Sequence, residues 1–269
     1  MILYDWKKRL KKDSKDFIEN KIPEGDYDFE IIYNAYPERD EGHVPAEVIT
    51  YVAKQLGKII AENTDKYVDF LRHVKKHKGR EGNKIFNFIL KKVTLKNPGE
   101  YDELLTEGLH LAKDSKSMRR MFDFIILPLL KKYPEKYVDK VLEWADPKNK
   151  PLLIKHVFRI MGRYIKAYPD QTKIIFEKCE SHWNSDNKAI QDGNIRLLKQ
   201  IFKIDKEFYN SIYESYKSTR NPHFVQILSG AIMEDNKIIR EMVKNWKKSG
   251  NSIIKKAGEK AKKHLKKIK

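Results

Sequence analysis

Eleven cations and one carboxylate are the residues of this 269-residue chain whose types and spacing point to chemistry. Lys155, Arg159, Arg163 and Lys166 recur at i, i+4, i+8 and i+11, which lays them along one face of a helix. Lys188, Arg196, Lys199 and Lys203 follow a similar line, and Lys84, Arg119 with Arg120, and Lys255 with Lys256 stand near the start of other helical segments. Cationic rows with few interleaved acids match a phosphate backbone. Arginine forks suit phosphate better than lysine point charges do, and five of the eleven arginines (Arg119, Arg120, Arg159, Arg163 and Arg196) sit in these rows. The alternative is the ordinary polar face that any soluble amphipathic helix needs. Asp123 interrupts the pattern four residues after Arg119, and its spacing makes it an ion-pair partner of Arg119 or Arg159.

The whole-chain charge agrees with a polyanionic partner. Lys and Arg number 56 against 38 acids, for a net charge of +18 and a pI near 9.6. Of the 56, 45 are lysine, which a biased genome or a hot habitat also produces. The charge is uneven: residues 22–47 carry eight acids and one Arg, residues 251–269 eight Lys and one Glu, and residues 7–15 six bases and one acid. The acidic stretch is expected to be solvated and irregular, or else to pair with the basic surface. In the tail, Ile254, Ala257, Ala261, Leu265 and Ile268 form one apolar stripe, so a closing helix with a basic outer face is expected.

The elements that must position these residues repeat. Thr64-Asp-Lys-Tyr67, Pro98-Gly-Glu-Tyr101, Pro134-Glu-Lys-Tyr137, Pro169-Asp-Gln-Thr172 and Lys206-Glu-Phe-Tyr209 recur at intervals of 34, 36, 35 and 37, and Asn236-Lys-Ile-Ile239 follows 30 later. Proline and acids suit a helix's first turn, so each segment should open a helix. In the same phase Trp144, Trp183, Tyr216 and Trp246 precede Asn149, Asn187, Asn221 and Asn251, each placed to cap the next helix. Two helices per 30 to 37 residues predict an all-α fold: an α-solenoid of about six helix pairs over residues 45–269, wound as a right-handed superhelix with a concave basic face. Residues 1–44 are expected to form an N-terminal basic helix followed by the acidic irregular segment, ahead of the solenoid. Aligned on the fourth residue of each opening, Lys84, Arg120 and Lys155 share an offset of 17.

The spacing resembles HEAT-like repeats. Helices ending in Trp, short loops and then basic helices, as in Trp144-Ala-Asp-Pro-Lys-Asn149, Trp183-Asn-Ser-Asp-Asn187 and Trp246-Lys-Lys-Ser-Gly-Asn251, resemble the HEAT-like DNA alkylation repair glycosylases over roughly residues 80–265. The resemblance implies duplex DNA as the partner, gripped by its backbone, and a carboxylate on an inner helix that helps excise cationic alkylated purines. Matching Ser117-Met-Arg-Arg-Met-Phe-Asp123 to that motif carries the catalytic role to Asp123, with Arg119 at the family's Trp position and Arg196 near its second aromatic. A carboxylate there would stabilise the positive charge that develops on the sugar. The other class of function is a non-catalytic scaffold holding an acidic protein segment or RNA.

Further signals are bounding. No apolar run approaches a membrane span, and Met1-Ile-Leu-Tyr-Asp-Trp turns basic at once, so neither a membrane association nor a signal peptide is expected. A lone Cys179 makes no internal disulfide, and a monomeric cytoplasmic protein is the expectation. No phosphate-binding glycine loop occurs, so no cofactor is expected. His73 and His77 have the spacing of a metal pair but lack a further ligand, so no metal is expected either.

Overall fold

A computed structural model describes residues 5–34 and 36–268. The opening Met1-Ile-Leu-Tyr4, on which part of the leader expectation rests, and Lys269 of the basic tail lie outside the described residues. Among the described residues the protein is all-helical, without a β-strand beyond one isolated bridge between Asp40 and His43. No helix among them is long and apolar enough to cross a membrane. The chain divides into two compact units, Met1–Tyr133 and Pro134–Lys269, so the boundary falls at one of the repeated helix openings.

In the first unit, α1 (Trp6–Asp16) continues through a wider turn to Lys21. The acidic stretch behind it is anchored rather than merely solvated: Phe29, Ile32 and Tyr33 are buried, and Lys78 bridges Asp28 at 3.1 Å and Glu30 at 3.2 Å. Apolar side chains alternate there with the acids, and they supply the burial that charge counting overlooks. Then come α2 (Ala46–Ile60), α3 (Val68–His77), α4 (Gly79–Lys96), α5 (Asp102–His110), α6 (Ser115–Met121) and α7 (Leu127–Lys132). Helix α2 lies on α4, α4 on α7, and α3 on both α4 and α5. Between α6 and α7 the helix does not break but widens into a π turn, Phe122–Ile126, closed by the Leu127 N–H on the Phe122 carbonyl. Pro128 explains the widening. It has no N–H to give the Phe124 carbonyl and its ring would clash with that oxygen in α register.

The second unit holds α8 (Pro134–Glu143), α9 (Pro151–Ala167), α10 (Thr172–Glu180), α11 (Lys188–Ile204), α12 (Lys206–Ser215), α13 (Pro222–Ala231), α14 (Lys237–Lys247) and α15 (Ser252–Ile268). Helices α9, α11, α13 and α15 lie side by side in that order. The others make a second row, in which Lys178 of α10 reaches Asp139 of α8 at 2.6 Å and Phe176 meets Phe208 of α12 edge to face. Small residues allow the first row its close approach. A Cβ on Gly193 of α11 would lie 2.1 Å from the Phe158 ring of α9, and one on Gly230 of α13 would lie 2.6 Å from Ile195 of α11.

Five of the six repeated segments open helices, while residues 98–101 form a turn that ends at the cap residue of α5, and Tyr101, Tyr137, Thr172, Tyr209 and Ile239 at the fourth positions are buried. Asn187, Asn221 and Asn251 cap α11, α13 and α15 by accepting from Ala189, His223 and Ile253 N–H groups at 2.9 Å. Asn149 does not cap. Lys150 occupies the cap position of α9 ahead of Pro151, and the Asn149 amide turns back to donate to the Trp144 carbonyl at 3.3 Å. The caps also reach backward along the chain: Asn187 Nδ2 donates to the Pro147 carbonyl at 3.0 Å and Asn221 Nδ2 to Asn184 Oδ1 at 2.7 Å. The tail stripe is buried on α15 through Ile254, Ala257, Ala261 and Leu265. Cys179 is fully buried, and burial pushes its thiol up to about 12, so it is an inert part of the core.

Candidate functional site

All eight expected cations of the second unit stand on α9, α11 and α15. Lys188 and Lys199 lie on α11 and Lys256 on α15, and together they line one groove of about 520 Å³ that crosses α13. The lysines stand along its sides with Lys260 and His264, and α13 offers Gln226, Ser229 and Gly230. No carboxylate is among the described residues lining it. Lys188 also pairs with Asp192 one turn on, an exposed contact of small energetic weight. The surface is therefore a cationic trough with neutral hydrogen-bonding groups between its charges, suited to a polyanion held mainly by charge.

Spacing alone misses Lys260 and His264, although they continue the Lys256 line at i+4 and i+8. It also misses a second basic cavity in this unit, about 560 Å³, where the loops before α13 and α15 come together. Lys217, Arg220 and Lys248 line it with Ser218, Thr219 and Ser249, again without a carboxylate among the described lining residues. Loop cations have no periodicity to reveal them.

The remaining expectations scatter. Lys155 and Arg163 are exposed on α9, Arg196 on α11 and Lys255 on α15, but none of the four lines the groove. Arg159 is only partly exposed, and its Nε donates to Nδ1 of the buried His156 at 3.1 Å. A histidine one turn earlier, invisible to a count of charges, turns this guanidinium toward the protein.

In the first unit, Arg119 and Arg120 are exposed at the end of α6, and Asp123 sits in the π turn. Arg119 Nε lies 3.4 Å from Asp123 Oδ2, and the Asp123 side chain is 28% exposed. With Lys116, Arg120 and Phe124 the pair lines a shallow depression of about 410 Å³. The guanidinium offsets much of the field that the carboxylate directs outward. Lys84 and Arg120, two of the three residues at the shared offset of 17, are neighbours: both line a further cavity, and Lys84 donates to the Ala46 carbonyl at the start of α2. His73 and His77 meet at a tilt of 39° with centroids 4.9 Å apart, and Tyr27 meets His73 edge on.

Compared with family models, curated proteins and solved structures, the chain has no match.

Proposed function

We propose that this protein binds duplex DNA by its phosphate backbone, on an α-solenoid of HEAT-like helix pairs of the DNA alkylation repair type. The groove across α11, α13 and α15 carries the reading: four lysines and a histidine line it with no carboxylate among the described lining residues. Lysine point charges with neutral polar groups between them favour a regular polyanion read without base contacts. The solenoid is supported by side-chain bonds whose sequence separations match the repeat. Lys96 to Ala61 and Arg72 to Glu107 span 35 residues, Tyr101 to Asp65 spans 36 and Asn221 to Asn184 spans 37.

The experiment is the salt dependence of affinity for a short duplex, read by fluorescence anisotropy. With about six phosphates neutralised, the log–log slope is expected near −5. Replacing Lys188, Lys199 and Lys256 together by Ala should flatten it by roughly three units, with little change between DNA sequences. A slope unchanged in that variant, or affinity indifferent to salt, defeats the reading.

Excision of alkylated bases is a second reading, favoured by one observation: Asp123 is held by the π turn at the edge of a basic depression. The ion pair with Arg119 argues for binding without excision. The expected outcome is no release of alkylated purine from duplex DNA by the wild type, measured by chromatography of the freed base. If release does occur and Asp123→Asn stops it while leaving affinity equal or higher, excision replaces simple binding.

A further inference from the structure

The first unit contains a cavity that DNA binding leaves unused. Its volume is about 430 Å³, within the roughly 300–1,000 Å³ of ordinary small-molecule sites. Phe88 and Phe124 line it as a ring pair, 4.7 Å between centroids and inclined at 59°. Arg80, Lys84 and Arg120 line it as well. Arg80 and Arg120 are exposed and form no ion pair among the described residues, even though Asp40, Glu41 and Glu81 line the same cavity. Burial, with the nearby charges of Arg120 and Arg80, holds the Lys84 ammonium below the ordinary lysine range. Three crowded cations of this kind are relieved by an anion. The last element is Asn87, also lining the cavity: it is 3% exposed, and its Oδ1 is buried with no hydrogen-bond donor. A buried acceptor without a donor is costly, and a ligand N–H removes that cost.

We propose that this cavity binds a free adenosine monophosphate, with its base against Phe88 and Phe124, its base edge on Asn87 and its phosphate on Arg80, Lys84 and Arg120. An asparagine amide pairs with adenine in two bonds, Oδ1 accepting from N6 and Nδ2 donating to N7. Asn87 Oδ1 is buried, so on this proposal the amide rotates about its broad terminal torsion as the base enters. The guanidinium forks match the phosphate oxygens. Guanine presents O6 where adenine presents its amino group, so the same amide discriminates against it.

The test is titration calorimetry of the full chain with AMP, GMP, adenosine and inorganic phosphate. AMP is expected to bind, and each of the other three about tenfold or more weakly than AMP. Arg80→Ala with Arg120→Ala should weaken AMP by about tenfold or more, since charge-assisted phosphate contacts are lost. Both residues are exposed, so this variant keeps the fold and stands even if Asn87→Leu does not fold. Asn87→Leu, where folded by circular dichroism, should erase the preference for AMP over GMP. The proposal is overturned by absence of AMP binding at millimolar concentration, by equal binding of AMP, GMP and phosphate, by an arginine double variant that binds AMP as the wild type does, or by a single strand ending in adenosine 5′-phosphate that binds more tightly than free AMP. No arm uses duplex DNA, so failure here and failure of the groove reading are separate results.

Discussion

The two units use their positive charge in opposite directions. In the first, Arg80, Arg119 and Arg120 are exposed but several lysines turn inward: Lys75 is 5% exposed, with its ammonium on Asn83 Oδ1 at 2.7 Å and above the Phe86 ring at 5.2 Å. Lys78 is spent on two carboxylates, and Lys84 on a backbone carbonyl. In the second unit, Lys188, Lys256 and Lys260 stand exposed along a groove over neutral α13. The charge is also unequal, +4 over residues 1–133 and +14 over residues 134–269, and it surrounds a ring-lined cavity in the first unit and runs along a groove in the second. Net charge already separates the two units, and what lies between the charges separates them further. Aromatic rings and a buried amide define a ligand of fixed shape, whereas glutamine, serine and glycine between lysines tolerate any regular run of phosphates.

Breaking the groove's support should have the largest effect. Trp183 is fully buried just ahead of α11, ringed by Phe176, Tyr216 and Phe224, and its Nε1 donates to the buried Asn194 at 3.0 Å. Trp183→Ala should cost about 3–5 kcal/mol, read as a lower urea midpoint at constant m-value. The inward charge of the first unit is tested by Lys75→Met. Burial lowers the Lys75 ammonium to about 8, so between that value and the ordinary lysine range the unfolded chain binds more protons than the folded one. Stability should therefore climb as pH rises from about 8 toward 10, and below 8 the cost of burying the charge is felt in full. Lys75→Met should flatten that climb and raise stability at pH 7 by about 1–3 kcal/mol, measured by denaturation across the window. The smallest effect belongs to Arg119→Ala. Its ion pair with Asp123 is exposed and spans one helical turn, so stability should change by less than about 0.5 kcal/mol. A larger loss in that variant would show that the π turn depends on the pair.

Helix starts were legible because their signals are local: proline, acids and asparagine act on the backbone groups nearest them. Asn187, Asn221 and Asn251 follow that logic, and Asn149 departs from it because Pro151 shifts the start of α9 by one residue. Lys188, Lys199 and Lys256 were legible as charged positions on helices, but their convergence depends on which faces α11, α13 and α15 bury against one another. The inward bond of Arg159 was not legible, since its partner His156 is not among the residues that a count of acids and bases weighs. The widened turn under Asp123 had a sequence signal in Pro128, five residues on, which charge patterning passes over. The cavity of the first unit was not legible. Asp40, Glu41 and Ala46 come to Arg80, Asn87 and Arg120 from a stretch whose acids suggest solvation and whose buried Phe29 and Tyr33 fix its place.

The backward-reaching asparagines bear on how the second unit comes into being. Asn187 holds the Pro147 carbonyl and Asn221 holds Asn184, so each cap grips a loop made 40 and 37 residues earlier. During translation at about 5–20 residues per second, each such loop has waited roughly 2–8 s when its partner emerges. Helices α11 and α13 then each meet a loop already made and do not have to await sequence still to come. The growing chain is its own template, and the order of synthesis coincides with the order of assembly.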